Sequence, residues 1–170
     1  MSPVRPARLT TTHTGPVVVL LIGMRINRKW KVWQWLPVFR AFWAMIRELK
    51  TGAPANGFLG YEPLLGPGGV MMTVQYWRSV EDLHAYAQDP QRLHSKGWAE
   101  FTRRVGTGGD VGVFHESYLS RGGDWEAIYI NMPPFGLGGT GDLRECEGRR
   151  ERARGRMDAG AGDVESCPGE

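Results

Sequence analysis

Val17-Val18-Val19-Leu20-Leu21-Ile22-Gly23-Met24-Arg25-Ile26 is the stretch whose reading decides the fold. It is β-branched and apolar at odd and even positions alike, the pattern of a strand buried on both faces. Downstream the period changes. From about Trp35 to Lys50, the residues Trp35, Val38, Phe39, Phe42, Trp43, Ile46 and Leu49 gather on one side of a helix, with Arg40, Arg47 and Glu48 opposite. Thr51-Gly52-Ala53-Pro54 ends that helix. Phe58 to Leu65 and Val70 to Trp77 flank Gly66-Pro67-Gly68-Gly69 and read as a hairpin. Ser79 is an N-cap with Asp82 three residues on. Asp89-Pro90 breaks this helical region, and a second helix follows to about Val105. Val111 to Leu119 is a further strand, and Trp125 to Asn131 a last short one. The order β-α-β-β-α-β plus one strand is that of an α+β, ferredoxin-like fold, a four-stranded antiparallel sheet with both helices on one face. The first strand is apolar on its other face as well. A second copy of the sheet is the expected cover, which predicts a homodimer.

The ends of the chain read differently. Every Phe, Trp and Tyr lies at or before Phe135. Residues 138–170 hold six Arg, eight Asp or Glu and eight Gly, with only Leu143 and Val164 among Leu, Ile, Val and Phe, too little apolar area to offset ordering. The expected organisation is a flexible N-terminus over 1–15, one folded domain over 16–137 and a disordered tail over 138–170, in which Arg149 to Arg156 forms at most a frayed turn. The 170 residues carry a net charge of +3, too mild for a nucleic-acid stripe. The run Val17 to Met24 is too short to span a bilayer, and Arg25, Arg28 and Lys29 follow it in place of a cleavage site. The expectation is a cytoplasmic protein with no membrane or nucleic-acid partner. Two cysteines, Cys146 and Cys167, exclude a disulfide scaffold and a CxxC zinc site. HExxH, metal-spaced His/Cys clusters, a serine nucleophile elbow and flavin or nicotinamide fingerprints are absent, and GPGG is no phosphate loop.

Three segments carry a resemblance: Gly23-Met24-Arg25-Ile26-Asn27-Arg28 with Trp30, His94-x3-Trp98-x2-Phe101, and His115-Glu116-x-Tyr118. With Tyr129-x2-Met132-Pro133-Pro134-x-Gly136-Leu137, they resemble the dimeric α+β barrel proteins. Within these, the match is to a bacterial and fungal monooxygenase-like family that takes its name from a fumagillin-pathway oxygenase of secondary metabolism. The resemblance covers about residues 16 to 138 and implies a barrel formed by two copies.

His94, Trp98 and Phe101 stand at i, i+4 and i+7 and share one helical face, an imidazole beside an aromatic wall, suited to general-base work or to ligating haem iron. His115 and Glu116 are strand neighbours and face opposite ways. If Phe114 and Tyr118 face the barrel interior, Glu116 is a carboxylate in an aromatic cavity, its pKa raised, and a proton acceptor. If those residues face the helices, His115 takes that place. His94 paired with Glu116 is the favoured catalytic combination, with His115 as its alternative. Arg25 and Asn27 close the first strand as groups for an anion or carbonyl, or merely as strand terminators. Trp43, Met72, Tyr76, Trp98, Phe101 and Tyr118 complete the expected substrate pocket. The resulting expectation is a small monooxygenase acting on an aromatic or polyketide-like small molecule, with no metal and no organic redox cofactor. The alternatives are a haem enzyme of the same fold, resembling aldoxime dehydratases, with His94 or His115 as axial ligand, and a non-catalytic small-molecule-binding barrel.

Overall fold

The computed structural model describes residues 3–161. In chain order the elements are β1 (Arg8–Thr11), β2 (Val17–Ile26), α1 (Val32–Gly52), β3 (Phe58–Gly66), β4 (Val70–Trp77), α2 (Val80–Gln88), α3 (Leu93–Arg104), β5 (Val111–Ser120), β6 (Tyr129–Ile130), β7 (Leu143–Glu145) and α4 (Ala153–Gly160). They fall into two units, Val18–Tyr118 and one built from both ends of the chain, Met1–Val17 with Leu119–Glu170.

The Val18–Tyr118 unit is the expected α+β, ferredoxin-like arrangement, with sheet order β3-β4-β2-β5. β2 pairs antiparallel with β4, from Val18 opposite Trp77 to Arg25 opposite Val70. β3 pairs antiparallel with β4 through a turn at Pro67–Gly69, where Gly68 and Gly69 take φ of 66° and 78°, which L side chains resist. Helices cover one sheet face. Val18, Leu20, Phe58 and Trp77 meet Leu49 of α1 and Leu83 and Tyr86 of α2 there. Met24, Val105 and Val111 form a second cluster under Val38 and Phe101. On the other face, a Cβ at Gly23 would stand 2.8 Å from Phe114 Cε1 and 2.7 Å from Met72 Cβ, so the glycine is what lets that ring lie across β2. Ser79 caps α2 as expected, its Oγ accepting from the Asp82 N–H at 3.1 Å.

The ends differ from the sequence expectation. β1 lies within the 1–15 segment and pairs with both β6 and β7, giving a three-stranded sheet. Within 138–161, β7 and α4 are formed, and Cys146 and Arg156 are buried. The described parts of the expected flexible N-terminus and disordered tail are therefore ordered, and residues 1–2 and 162–170 lie outside the described residues. Composition misled because it weighs apolar area alone. Here order rests on ladder hydrogen bonds and on a guanidinium, Arg156, held by Glu126 Oε2 at 2.6 Å and by the carbonyls of Arg150 and Glu151. The last expected strand, Trp125 to Asn131, shortens to Tyr129–Ile130.

Candidate functional site

A cavity opens between the sheet and the helices of the Val18–Tyr118 unit. A larger lobe of about 500 Å³ runs beneath Val38, Ala41, Gly97, Trp98 and Phe101. A smaller one of about 200 Å³ lies toward Gln75, Tyr86 and Ser117. Five residues line both: Ile22, Phe42, Met45, His94 and His115. The two histidines thus stand at the waist between the lobes. Among the described residues, no Asp, Glu, Lys or Arg lines either lobe.

His94 follows the first residue of α3, and three contacts seat that helix end. Glu48, from α1, accepts from the Tyr86 hydroxyl at 2.8 Å and from the Leu93 N–H at 3.2 Å, which places a carboxylate against the N-terminus of α3. Burial first, then this carboxylate, pushes the Tyr86 phenol above its ordinary value and keeps it protonated. Ser95 Oγ donates to the carbonyls of Ala87 and Asp89. His94 Nδ1 lies 3.0 Å from the Ala87 carbonyl. A carbonyl only accepts, so Nδ1 carries a proton, and in the neutral ring Nε2 is then the acceptor. His115 projects from β5 to the same cavity together with Val113.

The favoured pairing of His94 with Glu116 is not formed. Glu116 is exposed on the helix-free face and accepts from the Tyr118 hydroxyl at 2.6 Å, a bond that pushes that phenol above its usual value. Neither strand reading holds as stated: Phe114 and Tyr118 share the helix-free face with Glu116, and His115 faces the helices and lines the cavity beneath them. Trp98 and Phe101 line the cavity as expected, their rings stacked with centroids 5.6 Å apart. The remaining expected substrate contacts lie elsewhere. Arg25 Nε donates to the Gly68 carbonyl at 3.0 Å and Asn27 Nδ2 to the Gly109 carbonyl at 3.1 Å, so both terminate β2 and tie it to neighbouring loops. Met72 and Tyr76 alternate with the buried Thr73, Gln75 and Trp77 and occupy the helix-free face. Trp43 packs edge-on against Tyr61, in a surface depression with Arg47 and Lys50.

Sequence reasoning missed Phe42, Met45, Gly97 and Glu48 as site residues. The first two belong to the apolar arc of α1, and Gly97 lies three residues after His94 on the same helical face. A Cβ there would reach Met45 and Ala41 at 3.8 and 3.9 Å, so the missing side chain is cavity space. Glu48 carried no signal, since its partners lie 38 and 45 residues away. No cluster of three or more metal-ligating side chains, and no helix long and apolar enough to cross a membrane, occurs among the described residues.

Sheet, helices and a histidine-waisted apolar cavity define a ferredoxin-like α+β protein. The monooxygenase af470-like family matches residues 17–137, and the chain belongs to it. Monooxygenase af470 of Aspergillus fumigatus is 27% identical over 130 residues, which is 73% of this chain and 46% of that protein. The chain therefore spans about half the length of this curated relative. An aldoxime dehydratase solved with butyraldoxime superposes with a TM-score of 0.66 at 14% identity, covering 84% of this chain and 42% of that one, a likeness of fold. A solved antibiotic biosynthesis monooxygenase from Caulobacter crescentus gives a TM-score of 0.45 at 12% identity over 62% of this chain and 91% of that one.

Proposed function

We propose that the protein is a monooxygenase whose substrate is an aromatic or polyketide-like molecule bound in the two-lobed cavity, and that it works without an organic redox cofactor. The observation that carries this reading is the waist: His94 and His115 stand between two lobes that no Asp, Glu, Lys or Arg lines among the described residues, with a third histidine, His84, on the smaller lobe, and the Ala87 carbonyl orients the neutral His94 ring with Nε2 as its acceptor. Membership in the monooxygenase-like family supports the oxygenase class. A methylene flanked by an aromatic ring or carbonyl loses a proton to His94 Nε2. The resulting carbanion reduces O2, and the methylene becomes a carbonyl. One oxygen atom enters the product and the other leaves as water, so the substrate supplies all the electrons. Phe42 and Phe101 give the substrate an apolar wall beside the imidazole.

The test is turnover of a cyclic aromatic ketone with an acidic methylene, followed by oxygen uptake. His94→Ala should lower turnover by roughly 10²–10⁴-fold, the usual effect of deleting an acid/base group, while Glu116→Gln leaves it close to wild type. Full activity in the His94 variant would sink the assignment. His115→Ala, the second imidazole at the waist, should also lose activity, since it faces the same bound substrate.

The same hydrogen bond favours a second reading, a haem enzyme. An Nδ1–H held by a carbonyl is the arrangement that presents Nε2 to a metal. In that reading His94 would hold the haem iron through Nε2, and the haem would supply the redox chemistry. A Soret band after expression with added haem, lost in His94→Ala, would select it over the cofactor-independent one. The binding-only alternative predicted a filled interior with both histidines at the surface; His115 is exposed, whereas the open cavity and the half-buried His94 support the catalytic readings. We also propose a homodimer in which the helix-free sheet face meets its copy, because Leu64 and Tyr118 on that face are 40% and 55% exposed. Light scattering at micromolar concentration checks it, and a strict monomer would refute it.

A further inference from the structure

We infer that the unit formed by the two ends of the chain contains a binding site for a tetrahedral oxyanion, a phosphate or sulfate group. A cavity of about 40 Å³ lies there among Thr10, Thr12, Thr14, Arg144, Arg150 and Arg156. That volume takes roughly three water-sized spheres, enough for one such group and too little for a larger organic body. No acidic residue lines it.

The arginines reach it from three different elements. Arg144 is the cross-strand partner of Thr10 between β7 and β1, so the two project from one sheet face. Arg150 belongs to the short turn Gly148–Glu151, and Arg156 to α4. Arg156 is the built part of the site, its side chain only 6% exposed. Glu126 fixes its Nε, and the carbonyls of Arg150 and Glu151 fix Nη1. No hydrogen bond of Nη2 accompanies these among the described residues, and Arg156 lines the cavity. Glu126 balances the Arg156 charge. The guanidinium groups of Arg144 and Arg150 have no ion-pair or hydrogen-bond partner among the described residues, so the cavity carries surplus positive charge in planar, oxyanion-matching forks. Thr10 and Thr12 already donate their hydroxyls to the carbonyls of Ala127 and Asp142, so they wall the site and the guanidinium groups supply its donors. Nothing in the proposed oxygenation uses these residues.

Calorimetric titration of the full chain with inorganic phosphate, and separately with sulfate, tests this at constant ionic strength with chloride as the balancing anion. We expect one saturable site with a Kd of about 1 mM or tighter. Arg144→Gln and Arg150→Gln, the second keeping the backbone carbonyl that holds Arg156, should each weaken it by about tenfold, the effect of losing a charge-assisted hydrogen bond. Arg154→Gln, whose guanidinium pairs with Asp158, should leave it unchanged. Phenyl phosphate separates the two sources of the group: binding like that of free phosphate means an esterified group enters, and loss of binding means only the free ion fits. Absence of saturable binding, or an equal effect of all three substitutions, overturns the site.

Discussion

Asp110 joins three parts of its unit. Its Oδ1 and Oδ2 accept from Arg28 Nη1 and Lys31 Nζ, both at 2.9 Å. Its backbone carbonyl accepts the N–H groups of Asn27 and Arg28, at 3.0 and 3.2 Å. The end of β2, the approach to α1 and the start of β5 are thereby held at one carboxylate. The Lys31 hydrogen bond holds that carboxyl below its ordinary range. Desolvation opposes the shift, and the charges of Lys31 and Arg28 reinforce it. In the unfolded chain the group returns to about 3.9. A folded value below the unfolded one contributes stability fully above the unfolded pKa, and the contribution is lost as pH falls through the lowered folded value. Asp110→Asn should therefore lower the Tm near neutral pH, and the gap to wild type should narrow in strong acid. A gap of constant size across a thermal-melt series from neutral pH down to about pH 2 would mean that the Asp110 charge plays no part.

At the scale of elements, α3 matters because its first turn carries His94. Glu48 seats that turn from α1, and it touches neither lobe of the cavity. It is a positioning residue. Glu48→Ala strips partners from the Tyr86 hydroxyl and the Leu93 N–H, so kcat should fall by about tenfold or more with KM little changed, the signature of a displaced base. Glu48→Gln keeps an acceptor oxygen and should restore most of the rate. Equal losses in both variants would point to general destabilisation instead. None of this was legible locally. The helix periods, the GPGG turn and the Ser79 cap could be read in the sequence because each signal lies within a few residues of its effect. The shared face of His94, Trp98 and Phe101 could be read for the same reason. The orientation of β5 could not, because Val113 and Phe114 are both apolar and alternation offers no polarity contrast to choose between its faces. Arg25 and Asn27 were ambiguous by type, since the donors that suit a ligand also suit a loop carbonyl.

At the scale of the whole molecule, the question is what the two ends of the chain contribute once they are seen to be ordered. β1 is the middle strand of its sheet, so its residues depend on β6 and β7 at once. Leu9 is paired with Tyr129 on one side and Glu145 on the other. Cutting the chain after Leu137 removes β7 and α4 together. The Leu9–Thr11 edge then loses its ladder, and Glu126 loses Arg156. The Tyr129 hydroxyl loses the Gly138 N–H that donates to it at 2.8 Å. Polar groups left without partners are costly, and these losses, one of backbone and two of side-chain groups, fall in one small unit. Truncation should lower the Tm of the transition to which this unit belongs by at least about 5 °C, equivalent to roughly 2 kcal/mol for a chain of this length. Amide exchange at Thr10 and Thr11 should accelerate, while the Val18–Tyr118 unit, with its own core around Trp77 and Leu49, should keep its protection. An unchanged melt, with Thr10 and Thr11 still protected, would return residues 138–161 to the status of a dispensable tail. If oxygen uptake survives truncation, the His94 cavity works without the end-built unit. If it falls while the Val18–Tyr118 amides stay protected, the end-built unit serves the reaction as well as the fold.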